Sequence, residues 1–503
     1  MKYPVKNRLL ITVFLFSISF CSFSQNKTKV FIDNADVLRF EQKGNKEIQR
    51  LIGNVRLRQD STLFFCDSAI LENTSNNMQA FGNVHINYTD SLDIYGDFLD
   101  YTGNTRIAEL DGNVLLVDDK ATLRTDHLIY DRNNKQATYN TGGEIEDEEN
   151  VLTSWIGHYY TADKEFFFKD TVVLVNPDYV LRSDTLKYNS DTEIAYIFGP
   201  TNITSEEDSI YCEFGWYDTK QNRSKLVKNA FVQKKEQSIE ADTIFYNREI
   251  DYGRALGNIK LTDTVQDVVV EGNSGEFDRK KGESYVTERA VAIFIDEQDS
   301  LFLHADTIKV LNDSLDRAEK LLAYNRMKFF RDDFQGACDS MIYSVPDSTI
   351  YMYTDPVLWS DENQLTSDSI HIFVSHNSID SLRLYSSAFI ISKDTVAGYN
   401  QIKGREMTGY FRDNDLWRIR VSGNAETLYY VREEDGALIG VNKSVSSYMK
   451  IQLQDNDIKQ ITYLEKPDAN LVPDIKSLGG ELKLEGFIWI EERRPKTKQE
   501  IFE

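Results

Sequence analysis

Ala241-Asp242-Thr243-Ile244-Phe245-Tyr246 is the stretch on which the reading of this chain turns. Its rule is a small residue, Asp, any residue, an aliphatic, any residue, then Tyr. The rule returns at Gly96-Asp97-Phe98-Leu99-Asp100-Tyr101, Thr125-Asp126-His127-Leu128-Ile129-Tyr130, Ser183-Asp184-Thr185-Leu186-Lys187-Tyr188 and Cys338-Asp339-Ser340-Met341-Ile342-Tyr343. Looser copies sit at Cys66-Asp67, Cys212-Glu213, Gly272-Asn273, Ala305-Asp306 and Ser367-Asp368, with a degenerate one near Gly157. From Asp67 to Asp368 ten steps span 301 residues, about 30 per unit. A fixed period of that size marks a repeat architecture.

A second mark falls ahead of each clear copy: Gly53-Asn54-Val55, Gly82-Asn83-Val84, Gly112-Asn113-Val114 and Gly257-Asn258-Ile259, with weaker forms at Lys228-Asn229-Ala230 and Tyr324-Asn325-Arg326. Both halves of the unit alternate with period two. Val84 and Ile86 oppose His85 and Asn87, and Leu128 and Tyr130 oppose His127 and Ile129. Clusters such as Thr102-Gly103-Asn104 and Arg132-Asn133-Asn134 supply turns. The unit reads as a hairpin of two strands of ten to twelve residues, roughly, with a bend or bulge in mid-strand. Long strands bent at one point fold into a V, and stacked V-shaped hairpins give two facing sheets, a twisted antiparallel β-jelly-roll. Two strands advance roughly 10 Å, so eleven units predict a rod of about 100 Å.

The pattern weakens after Ser367-Asp368, with a degenerate unit near Gly404 and a last Gly423-Asn424. Residues 463–474, with Pro467 and Pro473, read as irregular, and Leu482 to Ile490 as one more strand. The organisation expected is a repeat domain over 25–430 and a terminal cap over 431–503, since the end of a repeat stack needs a different face. Residues 1–24 read as an export signal: Lys2, Lys6 and Arg8 precede an apolar run from Leu9 to Phe20, and Ser22-Phe23-Ser24 offers a cleavage site. That run is too short to span a bilayer, so the mature chain is expected to be soluble outside the cytoplasm.

The net charge is −24, and loss of the three cations of the signal makes it −27. Such a field repels phosphate backbones, so nucleic acid is not an expected partner. Cys21 leaves with the signal; a lipoprotein anchor at Cys21 fits less well, because bulky Phe20 precedes it. Cys66, Cys212 and Cys338 all fill the small slot before the acid, four or five units apart. At the rise per unit this is far beyond the reach of about 7 Å between Cα atoms that a disulfide needs, so none is expected. No nucleophile–base pair, metal-spaced cluster or phosphate loop stands out, and neither a catalytic residue nor a cofactor is expected. The acids at 67, 97, 126, 184, 242, 306, 339 and 368 form the one polar column. They read as acceptors for backbone N–H groups left unpaired at the bends, one carboxylate per rung being too few for a tight cation site.

The Gly-Asn-Val and small-Asp-x-aliphatic-x-Tyr copies at 82–101, 112–130 and 257–277 resemble the OstA-like, or LptA-like, family of periplasmic lipopolysaccharide-transport proteins. The resemblance covers roughly 30–430. It implies a non-enzymatic bridge between inner and outer membranes that carries lipid A along an apolar interior and joins transport components, or further copies, by edge-strand addition. By position it implies lipid contacts at Val84, Ile86, Leu99, Tyr101, Val114, Leu128, Tyr130, Leu186, Tyr188, Ile244, Tyr246, Ile308, Met341, Tyr343 and Ile370. The chain departs from the family in length, being much longer than the typical periplasmic bridge. The residues also admit a structural or adhesive repeat protein with a filled core. A parallel β-helix enzyme acting on polysaccharide fits less well, because its coils need three short strands per turn.

Overall fold

The computed structural model describes residues 28–473 and 482–503, apart from 89–91, 120, 148–149, 207, 296–299, 316, 376–377, 395–397, 413–414, 434 and 455–456. The expected export signal lies outside the described residues. Described residues form 38 strands and two single 3-10 turns, and no α-helix. Strand pairing is antiparallel throughout. The chain divides into two compact units, one ending at Thr141 and the other Gly142–Glu503.

In the first unit, strands Lys46–Gln59, Thr62–Glu72, Asn77–Tyr88, Leu92–Thr102, Ile107–Val117 and Thr122–Asp131 pair each with the next. The short strands Phe31–Asn34 and Val37–Lys43 flank Lys46–Gln59. In the second unit, full-length hairpins such as Glu165–Asn176 with Tyr179–Asn189, and Arg223–Lys234 with Gln237–Asn247, alternate with strands cut in two at the bend, such as Ile194–Ile197 and Thr201–Thr204. Each strand thus has two arms. The first arm leads from the bend to turns such as 132–135, and the second to turns such as 60–61.

The bend is built by the pair the sequence marks. Gly82 and Asn83 both take left-handed backbone, φ 71° and 43°, and the strand register slips there, so that the pair faces the single residue Asp97. Gly53-Asn54, Gly112-Asn113, Gly257-Asn258 and Gly423-Asn424 repeat this. Glycine suits the first place twice over: it takes positive φ without strain, and a Cβ on Gly82 would lie 2.5 Å from Asp67 Oδ2. Where glycine is lacking, Lys228-Asn229, Glu288-Arg289, Asn325-Arg326 and Ser386-Ser387 hold the same conformation, at some cost in backbone strain.

The acid column works differently from the expectation. The carboxylates accept the side-chain amide of the bend asparagine 16 residues along, on the next strand, not orphaned backbone N–H groups. Asn83 Nδ2 donates to Asp67 Oδ2 at 2.9 Å, Asn113 to Asp97 at 2.6 Å, Asn229 to Glu213 at 2.7 Å and Asn258 to Asp242 at 2.9 Å. The acid's own N–H donates to the bend carbonyl: Glu213 to Lys228 O at 3.2 Å, Asp306 to Asn325 O at 3.1 Å and Asp368 to Ser386 O at 3.1 Å. The double left-handed turn points its carbonyl at that N–H, so the backbone satisfies itself and leaves the carboxylate to the asparagine. Arg326 replaces the amide with a guanidinium, 2.7 Å from Asp306.

Two C-terminal expectations are overturned. Residues 463–472 are largely strand, with Asp474 outside the described residues: Asp457–Leu464 and Asp468–Val472 lie on either side of Pro467, both against Leu438–Gln454. Conversely, 482–490 is not a strand. It belongs to a strap, 482–503, laid across the outside of the second arms. Its hydrophobic alternation is real, but its backbone bonds run to glutamine side chains rather than to a strand. Gln401 bonds Leu482 O at 2.9 Å and Leu484 N at 2.8 Å, Gln364 bonds Ile488 O and Ile490 N, and Gln335 Oε1 accepts Arg494 Nε at 2.9 Å. Those glutamines alternate with apolar residues in one cross-strand row, Gln335, Trp359, Gln364, Ile391, Gln401 and Leu428. Leu484 is buried against Phe389, Ile391 and Tyr430, with Phe487 and Trp489 beside it.

Candidate functional site

The alternation that builds the strands turns one apolar side chain in two toward the space between the arms. Of the fifteen residues singled out from the sequence, twelve are buried, and Tyr188, Tyr246 and Tyr343 are partly buried. Their strand neighbours His85, His127, Ile129, Lys187 and Phe245 point outward and keep exposure. Each fully buried Leu or Ile contributes about 1.5–3 kcal/mol. The inward column is therefore a structural core as well as a candidate binding surface.

The arms meet across the interior. In the first unit the ring of Phe64, on a second arm, lies 4.8 Å from that of Tyr101, on a first arm, and Tyr88 lies 5.0 Å from Tyr130. At the mouth, the buried Tyr101 hydroxyl donates to Gln59 Oε1, and Asp60 takes Arg106 at 2.8 Å and Arg132 at 3.5 Å. Burial pushes the Tyr101 and Tyr88 hydroxyls well above the usual phenol range. Tyr88 Oη is buried with no hydrogen-bond partner among the described residues. Apart from Tyr101, none of the mouth residues was singled out from the sequence as a contact. They sit in or beside turns, where the period-two signal stops.

In the second unit Tyr179 and Tyr217 meet edge to face at 6.0 Å, and Thr427 Oγ1 lies 3.1 Å from Tyr463 Oη. A cavity of about 90 Å³ opens between the arms, its apolar wall including Leu365, Leu382, Ile390, Ile402 and Ile451, with Ser360, Asn363, Ser392 and Asn400 as its polar side. At 10–15 Å³ per water-sized position, it has room for on the order of six to nine such positions.

Other chemistry is sparse. Cys66, Cys212 and Cys338 are free and buried, and desolvation raises their thiols to about 11, about 11 and about 12. They are packing residues at the bends, not nucleophiles. Among the described residues no three His, Cys, Asp or Glu side chains gather into a metal-binding group, and no helix is long and apolar enough to cross a membrane.

Comparison with known proteins bears out the family resemblance in the first third of the chain, where residues 27–184 match the model described as OstA-like protein. No curated protein matches. Among solved structures, the chain is similar to LptH from Pseudomonas aeruginosa, described as the LptA homologous periplasmic component of the conserved lipopolysaccharide transport device. The identity is 12%, the match covers 22% of this chain and 84% of that one, and the TM-score is 0.20. So loose a superposition carries no argument.

Proposed function

We propose that this chain is a periplasmic lipopolysaccharide-transport protein that shelters lipid A acyl chains between its arms and passes them toward the outer membrane without chemical change. The observation that carries the reading is the inward apolar column, repeated at matched heights in a chain whose first third matches the OstA-like family. Burying a methylene is worth about 0.8 kcal/mol, so one fourteen-carbon chain in water costs on the order of 10 kcal/mol. A carrier must hide that surface. Near-identical rungs then offer near-equal affinity at each step, and lipid meets no deep trap.

The fifteen inward residues are the acyl contacts in this reading, with Leu99, Leu186 and Ile244 at the centre of their arms. The resting interior is narrow, so a long chain enters as the arms part. The mouth favours that: the Asp60 pairs with Arg106 and Arg132 are partly exposed, and such pairs contribute about 0–1 kcal/mol each. The unpartnered Tyr88 hydroxyl is placed to donate to an ester carbonyl of an entering lipid. Edge strands supply the contacts to neighbours. Val37–Lys43 is exposed along its whole length, and Asp468–Val472 is the last strand of the other unit among the described residues. Each offers unpaired backbone groups to transport components or to a second copy.

A photo-crosslinking amino acid at Tyr188 and at Ile244, in cells making lipopolysaccharide, tests the reading. Adducts are expected at both, and not at outward Lys187. The tight burial of the column favours the second reading, a structural repeat protein with a filled core, and equal or absent adducts at all three positions would select it.

A further inference from the structure

The outer face of the first arms in Gly142–Glu503 carries a row fixed by sheet register. Lys187 faces Tyr196, Tyr196 faces Trp216, Trp216 faces Lys225, Lys225 faces Phe245, and Phe245 faces Arg254. All six keep solvent exposure. Three cations and three rings stand together, with Glu276 next in the row opposite Arg254, in a chain of net charge −24. Lys187 lies 5.6 Å from the Tyr196 ring centre and Lys225 5.2 Å from that of Phe245.

The row two residues nearer the bend is uncharged. Val227 faces Thr243 and Thr243 faces Leu256, while Phe198 and Phe214 stand 46% and 45% exposed. Cross-strand cation–ring pairs stabilise any sheet, but sheet stability does not ask for two phenyl rings left in water beside them. Nor does the fold demand the pattern. The corresponding row of the other unit runs Ile70, Gln79, Asp100, Glu109 and Ile129, with two acids and no ring.

We propose that this row binds an anionic polysaccharide, its sugar rings lying on Tyr196, Trp216 and Phe245 and its carboxylates or phosphates meeting Lys187, Lys225 and Arg254. Strands lie about 4.8 Å apart, so these cations stand roughly 14 Å and 10 Å apart. That spacing suits a linear polymer with charges at intervals better than one small anion. The neighbouring hydroxyl and phenyl row gives sugar hydroxyls and ring faces further partners. Glu165, 2.7 Å from Lys187, and Glu276, 3.8 Å from Arg254, hold the end cations, and exposed pairs of this kind yield to a competing anion. A membrane surface or nucleic acid presents denser negative charge over a wider area, where the field of the whole chain opposes it. The inference stands apart from what the interior carries.

Binding of the full-length exported chain to polygalacturonate, to neutral dextran of similar length, to a single-stranded oligonucleotide and to phosphatidylglycerol vesicles decides the matter. Polygalacturonate is expected to bind about tenfold or more tighter than dextran and to be released by salt. Lys225→Glu and Trp216→Ala should each weaken it by about tenfold. Lys260→Glu, on the outer face of a second arm, should not. The proposal is overturned if polygalacturonate does not bind, if Lys260→Glu acts as strongly as Lys225→Glu, or if oligonucleotide or vesicles bind as well. Lys225→Glu alters only a side-chain tip, so it decides the case even where Trp216→Ala folds poorly.

Discussion

Gln364 and Ile490 are joined as two strands would be: Gln364 Oε1 accepts the Ile490 amide at 2.6 Å, while the Gln364 amide nitrogen donates to Ile488 O at 2.7 Å. Gln364→Leu keeps the bulk and removes both bonds, which are part-buried and worth about 0.5–1.5 kcal/mol each. The variant should unfold at lower urea and be clipped faster near residue 490. A strap as protease-resistant as the wild type would show that the glutamine does not hold it.

The bend invites a double-mutant cycle. Asp67→Ala loses the bond from Asn83, about 0.5–1.5 kcal/mol. Gly82→Ala meets left-handed backbone, about 1–2 kcal/mol, and drives a methyl into the Asp67 carboxylate. With that carboxylate gone, Gly82→Ala should cost distinctly less than in the wild-type background. Additive losses would mean that the two residues do not press on each other.

The two faces of a strand can be separated at adjacent residues. Leu186 is fully buried and Lys187 is outward, so Leu186→Ala should destabilise by about 2–5 kcal/mol and Lys187→Ala by within about 0.5 kcal/mol. Lipid capture should follow the same order, with Leu186→Asp the most damaging. Equal effects on capture would reverse the assignment of faces.

Acid should loosen the strap end. His304 Nδ1 donates to Ala290 O at 2.6 Å and its ring lies 4.7 Å from that of Phe502. Burial holds it below its ordinary 6.5, as it does His158 and His371. The folded chain therefore binds fewer protons than the unfolded one near and below that value. Stability should be flat above it and fall as pH drops through it. From about pH 7.5 to about pH 5, Tm should fall less in His304→Gln than in the wild type. An identical fall would clear His304 of any part in it.

Much of the fold was legible because the repeat enforces it. The Gly-Asn pair and the acid recur at fixed distance, and each side chain's alternation names its face, as Val84 and Ile86 against His85 show. What stayed hidden depends on contacts between distant places in the chain. The Asn83–Asp67 bond needs the sheet register before it can be seen. The mouth group of Gln59, Asp60, Arg106 and Arg132 draws on turns that lie far apart in sequence. The strap misled for a physical reason: Leu482, Leu484, Ile488 and Ile490 alternate as a strand does, yet a glutamine side chain can offer the same donor and acceptor as a strand edge. The one signal available was Gln335 and Gln364, 29 residues apart at one slot of successive units.

The strap also constrains how this protein can change size. Elsewhere a hairpin gained or lost leaves every neighbour matched to a similar neighbour. Between Gln335 and Gln401 that freedom is gone, because Leu484 and Ile490, six residues apart on the tail, meet glutamines two strands apart on the sheet. The tail works as a ruler: add one hairpin beneath it and every mark beyond falls on the wrong rung. A hairpin can thus be added or removed without mismatch only in the stretch the ruler does not measure.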